Sequence, residues 1–262
     1  MNITNSVRSI EKAFDILELL KNKGECTLTE IARDLDFPVS TAQKLLNTIK
    51  DKGYIVKNEH TKKYMLGPRL FDLKTVVRQN LDLPTLAIPF MKTMVDETRE
   101  SSNLGQLDGI EVFHICRVES PETLKANLPT HRLPAYTSAT GKLLLAFQAY
   151  DYIKQLFQNE NLKPSTPNSI KTRSELIAEL DRIKSNLYAL DLEEGFENVV
   201  GCAVPVYNDQ GYVIAALSLV GPKVRISAEN IDKYLRPLFK YSSLLSNAMG
   251  YFNYAIPDKY RQ

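Results

Sequence analysis

The sequence predicts an α+β protein of two domains, and three observations carry that prediction. Its 262 residues suffice for two modest cores. The first seventy read as three short helices followed by a small hairpin. From Ser102 onward the apolar period alternates between helix and strand, which predicts an antiparallel sheet with helices on its faces. The expected division is 1–70 for an N-terminal domain, 71–86 for a linker helix, 87–252 for a second domain and 253–262 for a C-terminal tail.

In the N-terminal domain, Ser6 or Ser9 can cap a first helix whose apolar positions Ile10, Ala13, Phe14, Leu17 and Leu20 have helical spacing. Gly24 stops it. Thr27 or Thr29 starts a second helix, with Glu30 three residues after Thr27 as in a capping box and Ile31, Ala32 and Leu35 as its buried face. Asp36-Phe37-Pro38 makes a tight turn, and Ser40 caps a third helix that buries Ala42, Leu45, Leu46 and Ile49 and is ended by Gly53. Two helices joined in this way are the common device for placing one of them in the DNA major groove.

The outer face of the third helix carries Thr41, Gln43, Lys44, Asn47 and Thr48. Gln and Asn can pair with adenine, and Lys with guanine or phosphate. Residues 54–66 then read as two short strands around a polar turn, the wing of a winged helix, with Lys57, Lys62 and Lys63 placed to meet the DNA backbone. Arg8 is a further candidate phosphate contact. A polar face of this kind can equally be a solvated surface; the wing with its lysines, directly after the third helix, favours DNA.

Residues 70–86 keep a helical pattern rich in apolar side chains, among them Phe71, Leu73, Val76, Val77, Leu81 and Leu83, which predicts a dimerising linker. A helix resumes over 86–100. Two hairpins follow, one around Asp108-Gly109 and one around Asn208-Asp-Gln-Gly211, with strands over 199–207 and 212–220. A further strand is expected near 124–128, and helices over 140–147, 153–157, 174–186 and 228–251.

Bulk properties limit the function classes. Hydrophobic and charged fractions of 44% and 24% are those of an ordinary soluble protein. The net charge of +2 says nothing about nucleic acid, although residues 1–75 hold 13 Lys/Arg against 10 Asp/Glu, a small basic bias where the helix–turn–helix lies. Cys26, Cys116 and Cys202 are odd in number and widely spaced, which argues against a disulfide framework. Without a leader-like run or an 18-residue apolar stretch, a cytoplasmic protein with no membrane partner is expected.

Four segments of the chain resemble the IclR-type transcriptional regulators, and the resemblance runs from about Val7 to Gly250. They begin at Ser9-Ile-Glu-Lys-Ala-Phe; at Phe37-Pro-Val-Ser-Thr-Ala, with Gly53-Tyr54 and Tyr64-Met-Leu-Gly67; at Leu133-Pro-Ala-Tyr-Thr-Ser-Ala-Thr-Gly-Lys; and at Gly201-Cys-Ala-Val-Pro-Val, with Gly211-Tyr-Val-Ile-Ala-Ala. The resemblance implies an N-terminal winged helix and a C-terminal GAF-like effector-binding domain in a regulator, a repressor by preference. It further implies a homodimer or dimer of dimers on a pseudo-palindromic double-stranded operator, answering to a small organic, keto or sugar acid. The family often has Arg where Lys44 stands, so Lys44 is expected to make a plain phosphate contact.

The resemblance places the effector around residues 138–142, and elementary chemistry agrees. A turn leading into a helix there leaves backbone N–H groups of Ala139, Thr140 and Gly141, after Ser138, free to converge on an anion. Similarity adds Asp191, Val199 and Gly201 on the opposite wall and Leu133 at the edge. A carboxylate at Asp191 would suit a hydroxyl on the ligand.

Other constellations carry less. His114 and Cys116 alternate on one strand and so are expected on one face; with His131 their spacing matches no standard zinc pattern, and no metal or other cofactor is expected. Cys202 has no base nearby in sequence, and the chain has no nucleophile elbow, phosphate loop or zinc-protease motif, so an enzyme is not expected. Two alternatives remain at this point: a winged-helix protein-interaction module and a small-molecule hydrolase.

Overall fold

The computed structural model describes residues 7–73, 82–127, 132–158 and 162–261. The chain divides into two compact units, Met1–Leu81 and Asp82–Gln262. The first contains α1 (Arg8–Lys23), β1 (Glu25–Thr27), α2 (Leu28–Asp34), α3 (Val39–Asp51), β2 (Ile55–Lys57) and β3 (Lys63–Leu66). Its three strands form an antiparallel sheet in the order β1-β3-β2, so the wing hairpin gains a third strand that the sequence reading did not include.

Local chemistry explains the boundaries. Gly24, with φ of 81°, ends α1. The capping box forms: Glu30 N donates to Thr27 Oγ1 at 3.3 Å, and Thr27 N donates to Glu30 Oε2 at 2.7 Å. The turn between α2 and α3 is closed by Phe37 N donating to Ala32 O at 2.8 Å, with Asp36 left-handed at φ 53°.

Three expectations about this unit change. Ser6 lies outside the described residues, and Ser9 sits within α1, whose N-cap is Val7 without a side-chain bond. Ile10 and Phe14 are exposed, because the stripe facing the core is centred on Ile16 and Leu20 and leaves those two on the far side. Ser40 is not a cap. Pro38 stands at that position, its carbonyl accepts from Thr41 N and Ala42 N, and Ser40 lies exposed in the first turn.

The second unit contains α4 (Leu83–Thr98), β4 (Ser101–Asp108), β5 (Glu111–Val118), β6 (Arg132–Pro134), α5 (Ala139–Ala146), α6 (Tyr150–Leu156), α7 (Arg173–Asn186), β7 (Ala189–Leu192), β8 (Val199–Tyr207), β9 (Val213–Pro222) and α8 (Asp232–Ala248). Six strands make one antiparallel sheet in the order β6-β5-β4-β9-β8-β7. Leu104, Cys202, Val204, Leu217 and Leu219 face Met91 and Met94 of α4 and Leu235 and Phe239 of α8. On the other side Val112, Ala203 and Ala216 meet Leu143 and Leu144 of α5 and Leu176 and Leu180 of α7. All eight residues of α5 are buried, Lys142 included, whose charge is met by Glu194.

Helix α4 begins at Leu83, within the segment 71–86, where Asp82 Oδ2 caps it by accepting from Thr85 N at 3.1 Å and Pro84 takes a first-turn place. The rest of the expected linker, including Val76, Val77 and Leu81, lies outside the described residues. No strand forms over 124–127; the edge strand is β6, and the chain before it is held by Arg117 Nη2 donating to Ala126 O at 2.7 Å. Strand β7 was not foreseen. Helix α8 is shorter at both ends than expected. Residues 253–261 are no loose tail: the Tyr260 ring stacks on Phe239 at 5.1 Å, and Tyr254 Oη donates to Pro205 O at 2.8 Å.

The β4–β5 register shifts between Leu104 and Gly105, so Leu104 pairs with Cys116 while Gly105 pairs with His114. This bulge places His114 and Cys116 on opposite faces, against expectation. Cys116 meets Met91 Sδ at 3.6 Å beneath α4, and His114 turns toward α5. No described helix is long and apolar enough to cross a membrane.

Candidate functional site

The outer face of α3 is organised before anything binds it. Gln43 Nε2 donates to Asn47 Oδ1 at 3.0 Å, one helical turn on, and lies 3.5 Å from the Oη of Tyr64. Tyr64 is buried in the core from β3, so the wing steadies the helix from beneath. Thr41 is half-buried, while Ser40, Lys44, Asn47 and Thr48 are exposed. Ser40, Thr41, Gln43, Lys44 and Asn47 thus share one accessible helix, and Arg8 stands exposed at the start of α1.

The wing lysines differ from one another. Lys57 Nζ lies over the Tyr64 ring at 5.4 Å. Lys62 pairs with Glu59 at 3.3 Å, and Lys63 pairs with Glu25 of β1 at 2.8 Å. A paired lysine releases less counterion when it meets a phosphate, because part of its charge is already answered.

In the second unit a small cavity of about 30 Å³ lies between the sheet and the N-terminus of α5. That is room for a water molecule or two, well below an ordinary ligand pocket, so an organic acid enters only as the walls part. Of the eight residues expected there, seven line it: Leu133, Ser138, Ala139, Thr140, Asp191, Val199 and Gly201. Gly141 does not. Its N–H donates to Ser138 Oγ at 3.1 Å, so the cap consumes the group that was to face an anion. Gly141 instead permits a close approach, since a Cβ there would stand 2.2 Å from Ala135 O. The N–H groups of Ala139 and Thr140, in the first turn, have no acceptor within the helix.

Tertiary structure adds lining residues that the sequence reading missed: Asn103, His114, Gly195, Phe196, Ser218 and Val220. Asn103 and Ser218 are partners across β4 and β9, and Asp191, Gly201 and Val220 form one row across β7, β8 and β9. Gly105 lets α5 sit directly on the sheet, because a Cβ there would be 2.6 Å from Thr140 Cγ2. The one signal in sequence was Asn103 itself, a polar residue poor in strand propensity within a strand.

Asp191 is buried, and its Oδ1 accepts from Glu194 N at 2.7 Å and Gly195 N at 3.4 Å. Burial, helped by the Glu194 carboxylate, pushes its pKa up to about 7 despite those two bonds. Behind it, Lys142 is 1% exposed and donates to both oxygens of Glu194 at 2.5 and 2.6 Å. The lysine of the 138–142 turn therefore serves the fold beneath the cavity wall. Cys202 is buried, and its thiol is raised to about 12 by burial, the reverse of what a nucleophile needs. Among the described residues no cluster of His, Cys, Asp or Glu could hold a metal ion.

The family model for the IclR helix-turn-helix domain matches residues 9–59, and that for the bacterial transcriptional regulator IclR C-terminal domain matches residues 75–247. The HTH-type transcriptional regulator KdgR of Escherichia coli K12 is 34% identical over 251 residues, 95% of each chain. The HTH-type transcriptional repressor AllR of the same organism is 26% identical over 85% of this chain and 83% of its own. Among solved structures, the inducer-binding domain of a double mutant of the PobR transcription factor from Acinetobacter, in complex with 3-hydroxybenzoic acid, is 29% identical. It covers 64% of this chain and 99% of its own, with a TM-score of 0.59. With both halves matched in order and a curated regulator similar along 95% of its length, the chain belongs to the IclR family of DNA-binding transcriptional regulators, which read operators with the N-terminal domain and bind small-molecule effectors with the C-terminal one.

Proposed function

We propose that this chain is a cytoplasmic repressor that holds a pseudo-palindromic operator as a homodimer or dimer of dimers. It releases the operator when a small organic, keto or sugar acid fills the cavity under α5. The observation that carries the effector class is the chemistry of that cavity. Two open N–H groups at a helix N-terminus face a compact space, across which stands Asp191, protonated in part at neutral pH. A carboxylate binds at the helix end, and the Asp191 carboxyl meets a hydroxyl or carbonyl farther along the ligand. The acid bound by the PobR domain supports this class, and the repressor AllR supports the sense of regulation.

On the DNA side, Gln43 and Asn47 read base edges, Thr41 and Ser40 support them at the edge of the groove, and Arg8, Lys44, Lys57, Lys62 and Lys63 hold phosphates. Effector binding changes which dimer geometry is favoured, and so the spacing of the two α3 helices against the operator repeat. Calorimetry with a panel of hydroxy, keto and sugar acids tests the effector, followed by fluorescence anisotropy on an operator selected from genomic DNA. An acid that binds and weakens operator affinity is the expected result. Tight binding of only neutral or cationic ligands would overturn the effector class, and DNA binding insensitive to salt would overturn the lysine assignments.

A further inference from the structure

We propose that Asn103 selects among acidic effectors by hydrogen bonding a hydroxyl on the ligand's carbon chain, away from its carboxylate; the proposal rests on the acid-effector reading above. Asn103 lies in β4 on the cavity floor and is 1% exposed. Its side-chain Oδ1 has no hydrogen-bond partner. A buried polar atom left unbonded is costly and rare, and the great majority of such atoms find a partner in the folded protein.

The neighbours do not relieve it. Ser218, opposite in β9, spends its Oγ proton on the main-chain carbonyl of Asn103 at 3.2 Å and not on the carboxamide. Arg117, opposite in β5, sends Nη2 to Ala126 O. The remaining direction is the cavity that Asn103 lines, where a ligand hydroxyl would meet the amide. Leu or Val at this position would be cheaper for folding, because neither would bury an unbonded polar atom.

A carboxamide both donates and accepts, as a hydroxyl does, so the pair is matched in either orientation of the amide. The carboxylate end is held at Ala139 and Thr140 on the roof, while Asn103 stands on the floor with His114 and Ser218 beside it. Recognition of the acid group and recognition of the hydroxyl are therefore on different elements and can be separated. A site built to bond a hydroxyl rejects the analogue that lacks it more strongly than an apolar site rejects a change of size.

The test is calorimetry on the full-length protein with D-gluconate, 6-hydroxyhexanoate and 4-hydroxybutyrate against hexanoate and butyrate. The protein is expected to bind at least one hydroxylated acid about tenfold or more tighter than its deoxy counterpart. Asn103→Leu is expected to narrow that ratio to about twofold, leave the deoxy acid bound at least as well, and raise the thermal midpoint by removing an unbonded buried group. Asn103→Ser, which keeps a hydroxyl, is expected to retain part of the ratio and serves if the Leu variant does not fold. A ratio unchanged in both variants overturns the role of Asn103 while leaving the acid reading intact. Failure of the unsubstituted protein to bind any of the five acids overturns both.

Discussion

On the outer face of α3 Gln43 and Asn47 are bonded to each other at the surface, whereas under α5 Asn103 is buried with an oxygen that no protein group bonds. The exposed pair costs little to keep, because water satisfies whatever the helix does not, and its bonds can be exchanged for those of a base. The buried amide has no such exchange. One surface waits in a satisfied state for a large partner; the other is left unsatisfied and gains most from a small one. The charges follow the same division. Lys62 and Lys63 of the wing are answered by exposed glutamates, worth little in water, while Asp191 and Lys142 lie buried beside Glu194.

The largest expected effect breaks the buried side of that comparison. Gly141→Ala places a Cβ against the backbone of Ala135 and should destabilise the protein by about 3 kcal/mol, read as a lower urea midpoint. An unchanged midpoint would mean that the roof of the cavity is not closely packed. Next, Gln43→Ala and Asn47→Ala should each reduce operator affinity by about 1–3 kcal/mol while leaving binding to random DNA nearly unaltered. Anisotropy titrations on both DNAs decide this, and equal losses on the two would reassign the pair to phosphate.

Asp191 holds a proton in the folded state up to about pH 7, whereas an unfolded aspartate releases it near pH 4. Stability from this group is therefore greatest below about pH 4, falls as pH rises through that window, and is lowest above 7. Asp191→Asn keeps the acceptor for Glu194 N and removes the charge. Its thermal midpoint should exceed that of the unsubstituted protein at pH 8 and differ least at pH 5; a gap that narrows with rising pH would contradict the argument. The same proton should link to effector binding. Above pH 7 the affinity for an acid should fall by up to about tenfold per pH unit, and that dependence should flatten in Asp191→Asn.

The smallest effect concerns the wing. Lys57→Ala should lower the salt slope of DNA binding by about 1, and Lys63→Ala by less, because Glu25 already answers Lys63. Equal slopes for the two variants would show that the Glu25 pair opens on DNA.

Much of the N-terminal unit was legible because its signals are local. A capping box spans four residues, a glycine ends α1, and helical spacing selects Ala42, Leu46 and Ile49. What escaped there was non-local: which side of α1 faces the core, and the pairing of β1 with the wing. In the effector unit the turn over 138–142 leading into a helix was readable, though not the Ser138 cap, and resemblance supplied Asp191, Val199 and Gly201. Asn103, His114 and Ser218 were not assembled, because strand order β5-β4-β9 and the bulge at Gly105 bring them together from distant parts of the chain.

Sequence alone was enough for the two-part α+β organisation, the helix–turn–helix with its polar face and the turn over 138–142 that leads into a helix. Each of these is set by side chains acting within a few residues of one another, or by a pattern repeated along one element. The tertiary structure alone decided that Gly141 is a packing residue, that Lys142 turns to Glu194, and that Asp191 and Asn103 share one cavity. Burial, register and the direction of a side chain across a sheet depend on partners far away in the chain, and those partners meet only when the sheet closes.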